Sequence, residues 1–382
     1  MSQLRTSVAD GKVPYPLFTS AHFEGDIASS EFRVHIENTP HEISMPRFGV
    51  NIATKHFGSH WDEGVVTREC PEFPLHYYIG SCGCAFSVLG ETFMAYGSEA
   101  DPRLLAWIDA LKQEDFQPPS DTMANESRQT ESKKGGLNLA KIPIIGEIVE
   151  KMASDRTSVV NRTSLVNNVF HNLTEELPFV YDDPADRADL LCPDVQDIVR
   201  KLGPRYQKDV DRENEHFSVC DAGIVQNVNV EPFLKTSRFS DLIIVFDMNG
   251  YKSDEDFDYM PIIQSAVHAS RNGLPFPPIQ VKRLVHEAPA EFLVFEGSID
   301  DCPTILWFTL CNKNFKEIKD YEPKIPFDET MNDGRPFNDF PVYSSGTNFG
   351  TIQFEYSELH FQQLHELMYH NVTSCMPVSQ CS

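Results

Sequence analysis

Positive charge is scarce in this sequence: 32 lysines and arginines stand against 57 aspartates and glutamates, for a formal net charge of −25 over 382 residues. Such a surface repels polyanions. No basic patch or stripe relieves it, so no nucleic-acid partner is expected. Attraction of the whole molecule to an anionic membrane is disfavoured for the same reason. Long apolar runs are also missing. None approaches the roughly 18–20 residues that cross a bilayer, and the opening "MSQLRTSVADGKVPYPLF" lacks the apolar core of a signal peptide. The cytosol is therefore the expected compartment, and no transmembrane segment is expected. The nine cysteines are odd in number and scattered, which argues against a disulfide framework. They lack the paired spacing of a zinc site, so no metal is expected. Familiar enzyme signatures are absent too: no Gly-x-Ser-x-Gly elbow, no phosphate loop, no dinucleotide fingerprint and no His-Glu-x-x-His.

What is present is ample apolar material, 41% of the chain, enough for a large core. "YPLFTSAHFEG" and "EFRVHIEN" read as strands. In the second, Phe32, Val34 and Ile36 alternate with Arg33, His35 and Glu37, which predicts a wetter face. Asp101-Pro102 looks like a helix start before "RLLAWIDALKQ", and Ala85 onward reads as a buried helix. The tract from about 114 to 137 is polar and weakly patterned, as a flexible loop would be. "SLVNNVFHNLTEEL" is a short helix candidate. "SDLIIVFDMN" carries a continuous apolar stretch, Leu242 to Phe246, the pattern of an interior strand covered on both faces. "PIIQSAVHASRNG" reads as a helix capped at Gly273. "EFLVFEG" and "TILWFTLCN" are further strands. In "SELHFQQLHELMYHNV", Phe361, Leu364, Leu367 and Met368 recur at helical spacing. Strands alternating with helices predict an α/β fold with a central mixed sheet flanked by helices, and no linker divides residues 1–382.

The residues with chemical potential cluster around Asp221. It follows an apparent strand and precedes the small Ala222 and Gly223, so its carboxylate is expected at a strand end, where α/β folds place binding and catalytic groups. The plainer reading is that Asp221 caps a turn. Asn227 is placed to hydrogen-bond across that turn. Arg238, 17 residues after Asp221, is either a surface charge or a partner for an anionic ligand group. Cys82 and Cys84 are nucleophilic residue types, with no histidine tied to them by local pattern.

From "CDAG" through "RFSDLIIVFD" the sequence resembles the C-terminal half of the catalytic domain of the animal cytosolic phospholipases A2, the group IV family. "VPYPLFTSAH", "ENTPHEISMPRFG", "PLHYYIGSCGCAFSVL", "NGLPFPPI", "DCPTILWF" and "FEYSELHFQQLHELMYHN" resemble it in the same order. The resemblance covers nearly all of residues 5 to 372. It implies an incomplete patatin-like acyl hydrolase fold, with residues 1–382 forming a partial catalytic domain. It also implies an ester hydrolase with a Ser-Asp dyad acting on glycerophospholipids or lysophospholipids, in transient contact with a membrane surface. Asp221 would be the general base and Arg238 the phosphate-recognising group, with Gly223 and Asn227 supporting the turn. No cofactor is implied within this chain; calcium enters only through an upstream membrane-binding module, which this sequence does not carry. The family's nucleophile and its Gly-rich oxyanion segment lie N-terminal to the matched region, and neither motif occurs here. The chain is thus expected to supply the Asp side of the dyad. The alternatives are a catalytically dead, shortened homologue that binds lipid or protein, or an enzyme using Cys82 or Cys84.

Overall fold

In the computed structural model, the residues described are 1–23, 34–83, 102–114, 165–177, 192–203, 210–238, 240–249, 251, 253–254, 259–298, 302–343, 349 and 355–375. The 114–137 tract, apart from its first residue, lies outside these residues, as do Cys84 and the stretch from Ala85.

The chain starts with a short helix, α1 (Leu4–Val8), and then builds strands β1 (Phe18–Phe23), β2 (Val34–Asn38), β3 (Glu42–Met45) and β4 (Val50–Ala53). Pro46 ends β3 by removing a backbone donor. Gly49, at a φ of 63°, makes the left-handed turn into β4. A small hairpin, β5 (His60–Asp62) and β6 (Val65–Arg68), turns on Glu63 and Gly64, both at positive φ. Helix α2 (Leu75–Cys82) follows, then α3 (Pro102–Gln113), which begins on the proline as the sequence predicts. Next come β7 (Leu165–Asn167), α4 (Gln196–Leu202) and β8 (His216–Asp221). The remaining elements are α5 (Glu231–Leu234), β9 (Leu242–Asp247), α6 (Met260–Arg271), α7 (Val281–Leu284), β10 (Phe292–Phe295), β11 (Thr304–Thr309) and α8 (Glu358–Cys375). Gly273, at φ 65°, closes α6: the Gly273 and Leu274 N–H groups return to the Ser270 and Ala269 carbonyls.

The α/β class is borne out, with its strands divided between two main sheets. One is six-stranded and antiparallel, in the order β4-β3-β2-β1-β8-β7. The other is three-stranded, in the order β10-β11-β9, and carries the mixed pairing: β9 runs parallel to β11, and β10 antiparallel to it. Each sheet has its own core. Val34, Ile36, Phe217 and Val219 of the larger sheet pack with Phe48, Phe57 and Tyr78. Ile243, Val245, Ile305 and Trp307 of the smaller sheet pack with Ile262, Ile263 and Ala266 of α6.

Four local expectations are corrected. Strand β9 is not covered on both faces and not interior: among the described residues it is an edge, and Leu242, Ile244 and Phe246 are each 47–49% exposed while Ile243 and Val245 are buried. Its apolar stretch still shows the strict two-residue alternation of a sheet with one core face. The 165–177 segment is a strand and turns rather than a helix. There Asn168 ends the strand by donating to the Asp211 and Asn214 carbonyls and accepting from the Phe170 N–H. In α8, Phe361 faces solvent, and the buried stripe is Leu359, Gln363, Glu366, Leu367 and Asn371. The three polar members are held by backbone: Gln363 donates to the Phe337 carbonyl, Asn371 to those of Thr309 and Cys311, and Glu366 accepts from the Lys324 N–H. The fourth correction is Glu37, which is buried rather than on a wet face.

Candidate active site

Strand β8 delivers Asp221. Phe217 and Val219 anchor it in the core beneath the larger sheet, and the strand ends at the carboxylate. There the backbone turns into a short 3₁₀ segment, Ala222–Ile224, and Asp221 caps it: Oδ1 accepts the Gly223 N–H at 2.7 Å. The turn-capping role is therefore real, and it uses one oxygen. Oδ2 has no hydrogen-bond partner among the described residues. Burial pushes the Asp221 carboxyl above the ordinary carboxylate range, while the Gly223 N–H pulls it back. The glycine is required for space. A β-carbon at 223 would sit 3.0 Å from Asn227 Oδ1 and 3.1 Å from Asp221 Oδ1. Asn227 thus lies against the turn, but among the described residues it makes no hydrogen bond across it.

Register places the neighbours. Ser20 pairs with both Asp221 and Ile36, so all three project from one face of the sheet. Helix α2 packs over β1 and β8. Asn38, from the same face, donates to Ser20 Oγ at 2.9 Å and to the Phe18 carbonyl at 3.1 Å, and its Nδ2 lies 3.9 Å from Cys82 Sγ. The Cys82 thiol is pushed up to about 12, by burial first and then by the negative charge of Asp221. It stays a neutral thiol, whereas the nucleophilic form of cysteine is the thiolate. The environment thus works against Cys82 as the attacking group.

Arg238 closes a 3₁₀ turn, Thr236–Arg238, just before β9. Its guanidinium does not meet the nearby Asp241. It pairs with Glu37, whose other carboxylate oxygen takes the Lys235 ammonium. Glu37 pairs in register with Thr19 and so projects from the face opposite Asp221. Both groups nevertheless stand at the same end of the sheet. Asp221 is the last residue of β8, Ser20 is opposite it on β1, and Glu37 is one residue beyond Ser20's partner Ile36 on β2. At the usual strand spacing, the Asp221 and Glu37 backbones are about 10 Å apart. The structure therefore brings Asp221, Gly223 and Asn227 together and sets Arg238 beside the same sheet end but across it. Glu37, Lys235, Ser20 and Asn38 escaped the sequence reading. Their only local signal was the alternation in β2, which assigned Glu37 to solvent. Among the described residues, no group of three or more His, Cys, Asp or Glu side chains is arranged to hold a metal ion.

A half-buried carboxylate capped through one oxygen at the end of a strand, on an α/β scaffold, can accept a proton through its other oxygen. In sequence, residues 1–133 match the model of the lysophospholipase catalytic domain family. The chain is 24% identical over 377 residues to mouse (Mus musculus) cytosolic phospholipase A2 zeta, covering 97% of this chain and 41% of that protein. Its fold is that of the solved human GIVD cytosolic phospholipase A2, with a TM-score of 0.60 at 18% identity over 98% of this chain and 44% of that one. The chain thus spans less than half the length of the relatives it matches. Among the described residues, no helix is long and apolar enough to cross a membrane.

Proposed function

We propose that this chain supplies the general-base side of a Ser-Asp ester hydrolase acting on glycerophospholipids or lysophospholipids. The observation that carries the reading is the state of Asp221: half-buried, raised above the ordinary carboxylate value, fixed through Oδ1 by Gly223 and open at Oδ2. Raising a carboxyl by burial brings it closer to the pH at which it must accept a proton, which is how general bases are tuned. In the step envisaged, Asp221 Oδ2 takes the proton of a serine hydroxyl as its oxygen attacks the acyl carbonyl. Asp221 then gives that proton to the departing lipid alcohol, and as a base again it takes a proton from the water that attacks the acyl-enzyme and returns it to the serine as the fatty acid leaves. The chemistry asks for no metal in this chain. No Gly-x-Ser-x-Gly elbow occurs in the 382 residues, so the serine and its oxyanion donors would come from polypeptide outside them. Arg238 is read as the group that recognises the lipid phosphate. A cytosolic protein that touches a membrane surface while its substrate is bound fits this reading.

The test has two arms. The 382-residue chain alone should release no fatty acid from phosphatidylcholine vesicles above background, because loss of even one oxyanion donor costs about 10²–10³ in turnover. In a protein joining this chain to a serine-bearing half, Asp221→Asn should lower turnover by about 10²–10⁴, the usual worth of a general base, with lipid binding retained. Hydrolysis by the isolated chain, or full turnover by Asp221→Asn, would overturn the proposal.

A further inference from the structure

Glu37 is an unusual carboxylate. Only 2% exposed, it holds two cations at once: the Lys235 ammonium on one oxygen and the Arg238 guanidinium on the other. A buried carboxylate without partners is strongly disfavoured, so Glu37 fixes where both cations stand. Their side chains remain 24% and 30% exposed, and each therefore has a solvent-facing side that Glu37 does not occupy. Two positive charges against one negative leave this cluster a net charge of +1. It stands at the sheet end that holds Asp221, on the opposite face, where the Glu37 and Asp221 backbones are about 10 Å apart by strand spacing, within a molecule of net charge −25.

We infer that Lys235 and Arg238 form a two-cation phosphate cradle, and that Glu37 sets its charge so that it favours a singly charged phosphodiester over a doubly charged phosphomonoester. The inference rests on the reading of Arg238 as the phosphate-recognising group and adds Lys235 as a second cation and Glu37 as the positioning residue. A phosphodiester carries one negative charge and neutralises the cluster. A phosphomonoester carries about −1.5 to −2 at neutral pH, so binding it leaves uncompensated negative charge beside a buried carboxylate. An intact phospholipid of the diester type would be accepted, and a lipid bearing a terminal phosphate would be penalised.

The probes are dimethyl phosphate and monomethyl phosphate, which differ in charge but little in shape. They are titrated at pH 7.5 and low salt into the 382-residue chain, followed by NMR shifts of the lysine and arginine side chains. The wild type is expected to bind dimethyl phosphate more tightly. Glu37→Gln should move the ratio of the two affinities toward monomethyl phosphate by about tenfold, the size expected for one charge at close range in a partly screened site. Lys235→Met keeps Glu37 with its second cation and gives an independent readout should Glu37→Gln fail to fold. It should weaken both ligands, monomethyl phosphate more. An unchanged ratio in Glu37→Gln, an unaffected Lys235→Met, a wild type that prefers monomethyl phosphate, or no binding of either probe at any soluble concentration would overturn the inference. The underlying reading fails separately: if Arg238→Ala binds both probes like the wild type, Arg238 is no phosphate ligand. If Arg238→Ala abolishes binding while Glu37→Gln leaves the ratio fixed, only the charge-setting role falls.

Discussion

Asp221 and Glu37 are two acids held in opposite ways. Glu37 is balanced by two cations, so its burial is compensated. The described influences on Asp221 are burial, which raises its carboxyl, and one backbone N–H, which lowers it. The difference has a consequence for stability. A carboxyl whose folded value lies above its unfolded value contributes stability below the unfolded pKa and loses it as pH rises through the folded one. Ionised Asp221 is therefore a burden to the fold at neutral pH. Asparagine keeps the oxygen that caps Gly223 and removes the charge. Asp221→Asn should accordingly melt higher than the wild type at pH 7.5, with the gap closing as pH falls toward 4. Paired thermal unfolding curves across that range check this. A variant that melts lower at pH 7.5 would mean that the carboxylate stabilises the turn by more than its burial costs.

At the level of elements, sequence pattern and structure part company where a contact is made at long range. The strands at 18–23, 34–38, 242–247, 292–295 and 304–309 and the helices at 102–113, 260–271 and 358–375 were legible because each carries its own periodicity. Strand β7 was not, because its partner β8 lies some fifty residues away, and Asn168, which ends it, bonds to backbone just before that distant strand. Phe361 misled because α8 buries three polar residues where a purely apolar stripe was expected. The site divides similarly: Asp221 and Gly223 are adjacent in sequence and were readable as a unit, whereas the Glu37 pairing spans 198 and 201 residues. Strand β9 is the most consequential case. Its outward residues Leu242, Ile244 and Phe246 lie on the same face as Val294 of β10, which is itself 47% exposed. An exposed apolar face on an edge strand invites pairing with another chain. The 382-residue chain is expected to self-associate, and Ile244→Lys with Phe246→Lys should reduce that association while leaving the circular dichroism spectrum unchanged. Sedimentation velocity over a concentration series decides: a monomeric wild type, or a double variant that associates as strongly, removes this face as the cause.

For the whole molecule, the excess of acid governs how it meets a lipid surface. A net charge of −25 creates a repulsive field toward anionic leaflets that reaches about 30 Å at 0.01 M salt and about 8 Å at physiological ionic strength. The Lys235–Arg238–Glu37 cluster contributes a single net positive charge, too little to reverse that field beyond contact range. Attraction through exposed apolar side chains carries no such dependence on lipid charge. The chain should therefore bind phosphatidylcholine vesicles better than vesicles rich in phosphatidylserine at 0.01 M salt, and the difference should shrink as salt rises, because screening removes the repulsion and leaves the apolar term. Cosedimentation at low and high salt, with both vesicle types in parallel, measures this directly. Stronger binding to phosphatidylserine at low salt, lost on adding salt, would show that a local basic surface outweighs the total charge, and Lys235 and Arg238 would be the first residues to replace in locating it.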